Sequence, residues 1–117
     1  MELLIDTSKN EIAIVALLEN NKVVSEDKFE AKYRQSEKLL PAIQELLKIN
    51  NVKINNIKKI IVNDEGEGFS SLRIGVVTAN ALAYGLGIPV ESVTGESIKL
   101  KDYSVIKPKY SQEPNIG

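Results

Sequence analysis

The sequence contains no cysteine and no histidine. Without thiols there are no disulfides, and without thiolate or imidazole the usual zinc and haem ligand sets cannot be assembled. Serine–histidine and cysteine–histidine catalysis are excluded for the same reason. A metal site in this chain has to be carboxylate-based. Charge of one sign is also missing: 15 basic residues stand against 16 acidic ones, a formal net charge of −1. No global field holds nucleic acid or an anionic lipid surface. No apolar run approaches the ~20 residues needed to span a bilayer. The N-terminus carries an acid at Glu2 and no basic segment, so no secretory signal is expected and a cytoplasmic location is the default.

What is present fits one globular domain. The chain has 117 residues, 43% of them hydrophobic and 26% charged. A domain of this length buries about two-thirds of the surface its unfolded chain exposes, enough for one core but not two. Residues 1–5 are a short, mostly apolar run, which predicts a strand buried on both faces near the middle of a sheet. Residues 11–18 and 23–30 predict two further strands. The turn signal Glu19-Asn20-Asn21-Lys22 joins them as a hairpin, because Asn tolerates positive φ. The more polar third strand belongs nearer an edge.

The period then changes. Leu39, Leu40, Ile43, Leu46 and Leu47 recur at helical spacing and predict a helix within residues 33–50, with Ser36 placed to cap its start. Pro41 marks either the first turn or a kink. Asn50-Asn51 ends the helix. Residues 57–62 predict a strand, 63–68 an acidic glycine-bearing loop, 70–85 a second helix and 87–93 a short strand that Pro89 moves toward an edge. From residue 94 onward periodicity is lost; the tail is expected to be mostly irregular and to dock through Val105, Ile106 and Tyr110. Helical crossovers make the first, fourth and fifth strands parallel, and the hairpin makes the second antiparallel. The expected fold is a mixed five-stranded α/β sheet of the ribonuclease H type with helices on its faces.

Four features could carry chemistry or recognition. Asp6-Thr7-Ser8 closes the first strand at the end where open α/β sheets bind ligands. An acid there can hold a hydrated magnesium and the hydroxyls a phosphate; the alternative is a plain Asx or Ser/Thr turn. Asp6, Glu37 and Asp64 fall on the three elements where ribonuclease H-like nucleases hold two metals. The alternative there is a first-turn acid favoured by the helix dipole plus a loop residue. Ser71, Gly75, Ala79 and Ala83, spaced by four, make a stripe of little bulk. It permits close packing either on the chain's own sheet or on a second chain. In Asp64-Glu65-Gly66-Glu67-Gly68, finally, three carboxylates repel a phosphate, so a solvated acidic loop is expected.

In this order the motifs resemble the TsaB (YeaZ) family of tRNA threonylcarbamoyladenosine biosynthesis. Leu4-Ile5-Asp6-Thr7-Ser8 is similar to the family's opening strand and turn. Arg34-Gln35-Ser36-Glu37-Lys38-Leu39-Leu40-Pro41 resembles its first-helix motif, with Gln35 where His is usual; this accounts for Pro41 within a helical pattern. Phe69-Ser70-Ser71-Leu72-Arg73-Ile74-Gly75 resembles the Phe-Thr-Gly-Leu-Arg-Ile-Gly box, and residues 81–90 match the stretch after it. Glu65-Gly66-Glu67-Gly68 stands where the family has Gly-Pro-Gly-Ser. The resemblance covers residues 1–97. Residues 98–117 then look like the family's closing Pro-x-Tyr tail, at Pro108-Lys109-Tyr110, with Gln112 where Arg is usual. The chain thus resembles a minimal member without the second domain.

The resemblance implies an actin-like ATPase-superfamily fold and a non-catalytic role without a cofactor of its own. Such proteins pair through the first two helices with TsaD, the subunit that transfers threonylcarbamoyl to adenosine 37 of tRNA. A TsaE-like ATPase is a further partner, and tRNA is engaged only indirectly. On this basis the partner interface is expected at Leu39, Leu40, Ile43, Leu47, Leu72, Arg73, Gly75, Val76 and Ala79, with a weak ligand site at Asp6, Thr7 and Ser8. The alternatives are a metal-dependent nuclease using Asp6, Glu37 and Asp64, and a homodimeric scaffold.

Overall fold

The structure is a computed structural model. It describes residues 1–9, 11–32, 34–66 and 69–93, and the backbone of three short strands beyond them. Three strands come first: β1 (Glu2–Asp6), β2 (Ile12–Glu19) and β3 (Lys22–Glu30). Asn20 and Asn21 both take positive φ, at 54° and 64°. Two central residues of that kind match the right-handed strand twist, so the expected hairpin forms with the tightest loop available. Its register shifts between Leu17 and Leu18.

The first helix, α1 (Gln35–Ile49), starts without a side-chain cap at Arg34. Ser36 lies one residue inside the helix and does not cap it, contrary to the sequence expectation. Pro41 stays within the helix. Its ring leaves the Glu37 carbonyl without a helical donor, but both residues lie on the exposed side, where water can serve. The helix ends as expected of Asn: the Asn50 amide donates to the Leu46 carbonyl at 2.8 Å and to Ser25 Oγ at 3.0 Å, and Asn51 turns the chain at φ 53°.

A short 3-10 turn (Ile54–Asn56) leads into β4 (Lys59–Val62), then β5 (Glu65–Gly66), α2 (Phe69–Leu86) and β6 (Val90–Ser92). Gly87, at φ 67°, makes the left-handed step between the last two. Three short strands are described beyond β6. They are β7 (Ile98–Leu100) and β8 (Tyr103–Val105), an antiparallel pair, and β9 (Lys109–Tyr110). β9 pairs in parallel with β5, which gives part of the expected acidic loop a strand partner. The expected docking through Val105, Ile106 and Tyr110 lies outside the described side chains.

The main sheet has the order β3-β2-β1-β4-β6. β1, β4 and β6 are parallel, and β2 is antiparallel to both its neighbours. β1 is central, as expected, but it is not deeply buried on both faces. Its odd residues Leu3 and Ile5 are fully enclosed, and its even residues are half-buried. With Val15, Leu17, Ile60, Val62 and Val90 they form the core against Leu39, Ile43 and Leu46 of α1 and Val76, Ala79 and Ala83 of α2. Both described helices therefore sit on one face of the sheet.

The opposite face follows from the two-residue alternation of each strand. Leu4, Ile12, Ile14, Ala16, Leu18 and Ile61 make an apolar band there, outside the core cluster. Glu2, Asp6, Glu26, Glu30 and Glu91 share the face with Lys28 and Lys59. Among the described residues no helix packs on this side.

Candidate functional site

Asp6-Thr7-Ser8 is built as a clasp. Asp6 Oδ1 accepts from the Ser8 backbone N–H at 2.9 Å and from Ser8 Oγ at 2.6 Å. Asp6 Oδ2 accepts from Asn63 Nδ2 at 3.4 Å, tying the ends of β1 and β4. Thr7 is fully buried, and its hydroxyl donates to the Ser71 carbonyl at 2.6 Å. A Cβ added at Gly66 would lie 2.5 Å from the Ser8 carbonyl oxygen. Asp6 and Ser8 thus form an Asx turn, and the Thr7 hydroxyl is enclosed and donated inward.

The proposed nuclease carboxylates are not brought together. Among the described residues no group of three or more Asp and Glu side chains could hold a metal ion. Asp64 is 3% exposed and already partnered. Glu37 lies on the exposed first turn of α1. The carboxylates separate because Glu37 points away from the sheet and Asp64 packs inward.

The small-residue stripe faces the chain's own sheet. Ser71, Ala79 and Ala83 are buried, and a Cβ at Gly75 would collide with Thr7 Oγ1. Leu39, Ile43, Leu47, Leu72, Gly75, Val76 and Ala79 are all enclosed by the chain itself. Of the expected set, Leu40 and Arg73 remain exposed.

These two lie in an open groove of about 290 Å³ between the helices, lined also by Ser36, Ile74, Val77 and Thr78. Leu40 is 48% exposed and Val77 57%. Sequence reasoning missed Val77, yet its signal was available. It stands one turn after Arg73, on the side of α2 away from the small stripe. The outer face of the helix pair therefore presents two large apolar side chains beside one guanidinium.

At the far end of the sheet, Lys59 bridges Glu2 at 3.0 Å and Glu91 at 3.1 Å. Hydrogen bonds to Glu2 and then Glu91 raise its pKa above the ordinary lysine value. Among the described residues no helix is long and apolar enough to cross a membrane.

Residues 21–97 match the family model described as "TsaD: tRNA N6-adenosine threonylcarbamoyltransferase". The tRNA threonylcarbamoyladenosine biosynthesis protein TsaB of Bacillus subtilis (strain 168) is 34% identical over 92 residues, 79% of this chain and 40% of that protein. The chain belongs to the TsaB/YeaZ family. The TsaB of Buchnera aphidicola subsp. Baizongia pistaciae (strain Bp) is 36% identical over 85 residues, 72% of this chain and 37% of its own length. The YeaZ structure from Pseudomonas aeruginosa superposes with a TM-score of 0.70 at 27% identity, covering 80% of this chain and 44% of that one. The mixed five-stranded sheet with its two helices is the actin-like ATPase fold of the YeaZ and TsaD structures. The chain spans about 40% of the length of the curated TsaB relatives it matches.

Proposed function

We propose that this chain is a non-catalytic subunit. It binds and supports a TsaD-like threonylcarbamoyltransferase, in the cytoplasm, during formation of N6-threonylcarbamoyladenosine at position 37 of tRNA. The observation that carries the reading is the exposed seam of α1 and α2, where Leu40 and Val77 stand beside Arg73. Exposed apolar side chains give a partner area to bury, and arginine is among the residues enriched at protein interfaces. The described carboxylates do not cluster, and histidine and cysteine are absent, so the chain's own residues favour contact over catalysis. The TsaD-like subunit supplies the chemistry, and tRNA is engaged through it.

The test is light-scattering mass of the chain mixed with the TsaD homologue of the same genome. A stoichiometric complex is expected, and Leu40→Glu or Val77→Glu should weaken it by about tenfold or more. Both positions are exposed on helices, so the thermal midpoint of the isolated chain should barely change. If the mass doubles for the chain alone and mixing changes nothing, the seam serves a symmetric homodimer instead. If the two variants bind the partner as well as the parent chain does, the seam is not the contact.

A further inference from the structure

We propose that β9 is a releasable strap. Paired with β5, it holds the turn after β1 and the first turns of α2 as one unit; unpaired, it lets them open together. The strap is short. β9 aligns with β5 over two residue pairs, Glu65 with Lys109 and Gly66 with Tyr110. A parallel ladder of that length is weak by itself, and its slanted hydrogen bonds are slightly less stable per residue than antiparallel ones. β8 lies against α2 and β6, and only residues 106–108 separate it from β9. β9 is therefore tethered beside its partner whether paired or not, so its release is local and reversible.

What the strap holds lies on the other side of β5. A Cβ at Gly66 would meet the Ser8 backbone at its carbonyl oxygen and its Cα alike, so β5 rests directly on the turn after β1. Asn63 ties the two again: its Oδ1 accepts from the Glu65 N–H at 3.2 Å, and its Nδ2 donates to Asp6 Oδ2 at 3.4 Å. Thr7, between Asp6 and Ser8, carries the contact into α2. Its hydroxyl donates to the Ser71 carbonyl, and Gly75 packs against it. Contacts thus run from β9 through β5 and the turn to residues 71–75 of α2. The element with two states is β9 itself, paired or released. Arg73 lies within that stretch of α2, so the strap also sets how firmly one side of the α1–α2 seam is held. This coupling is internal to the chain and independent of any partner at the seam.

The experiment uses the chain's lack of cysteine. Neighbouring strands lie about 4.8 Å apart, within the Cα separation that a disulfide spans. The double variant Glu65→Cys with Lys109→Cys can therefore be locked by mild oxidation and unlocked by reduction. Amide hydrogen exchange of the full chain is followed by NMR at low urea concentrations. In the parent and the reduced variant, the amides of Ser8, Arg73 and Gly75 should exchange through one shared opening. They should be at least about tenfold less protected than Val15 and Leu17 in the core of β2. Oxidation should abolish that opening, so that all five amides exchange only by global unfolding and the gap closes. In Lys109→Pro with Tyr110→Pro, which removes both N–H donors of β9, the amide shifts of Ser8, Arg73 and Gly75 should move and those of Val15 and Leu17 should not. Any of four outcomes overturns the strap: no cross-link on oxidation, no protection gap in the parent, a gap that persists after locking, or shifts in the proline variant confined to β5 and β9. The oxidised and reduced proteins share one sequence, so their comparison decides the matter even where the proline variant does not fold.

Discussion

Thr7 and Gly75 show how one missing side chain positions a helix. The Thr7 hydroxyl reaches the Ser71 carbonyl because nothing at residue 75 stands in its way. Gly75→Ala should therefore destabilise the chain by about 1–3 kcal/mol through overpacking. Thr7→Ala should cost about 1 kcal/mol for the lost hydrogen bond. The double variant should cost less than the two together, since removing the Thr7 side chain makes room for the new methyl. Urea unfolding of the four proteins checks this; strict additivity would mean the pair does not touch. The low bulk of residues 71, 75, 79 and 83 was visible in the sequence. What it packs against was not, because the partner lies 64 positions earlier in the chain.

The strands and helices themselves were largely legible. Apolar spacing located α1, and the Asn20-Asn21 pair located the hairpin. The side of each helix was harder to assign. A helix whose residues are mostly apolar or small, such as α2, has a weak contrast between its two sides, and only the sheet beneath decides which is outward. The parallel trio adds a feature that pattern does not reveal: one lysine tied to acids on the strands either side. Lys59→Met should lower stability at neutral pH by about 1 kcal/mol or less, because the pairs are partly solvated. The hydrogen-bonded ammonium has a raised pKa, so its contribution is fully present below the unfolded-state value and is lost as pH rises through the folded one. Urea midpoints of parent and variant should thus differ at neutral pH and converge well above about pH 10.4. A gap that persists at high alkalinity would mean Lys59 acts by packing alone.

For the molecule as a whole, the sheet separates two surfaces of different character. One is the helical seam with its guanidinium; the other is an apolar band with an acidic rim. The strand order has a further consequence, for the path by which the chain folds. β1, β2 and β3 are neighbours in sequence and can associate within the first 30 residues, whereas β1 meets β4 only when Glu2 finds Lys59. Closing that longer loop carries an entropic cost that the hairpins do not. The first half of the sheet is then expected to be organised in the rate-limiting transition state and β6 to join after it. Val15→Ala on β2 should chiefly slow refolding, and Val90→Ala on β6 should chiefly hasten unfolding. Stopped-flow chevrons would show the reverse if nucleation began at the parallel strands. During synthesis, the helix-facing side of β1 and β2 stays open until α1 emerges behind them, a brief interval in which this central strand has only one edge paired.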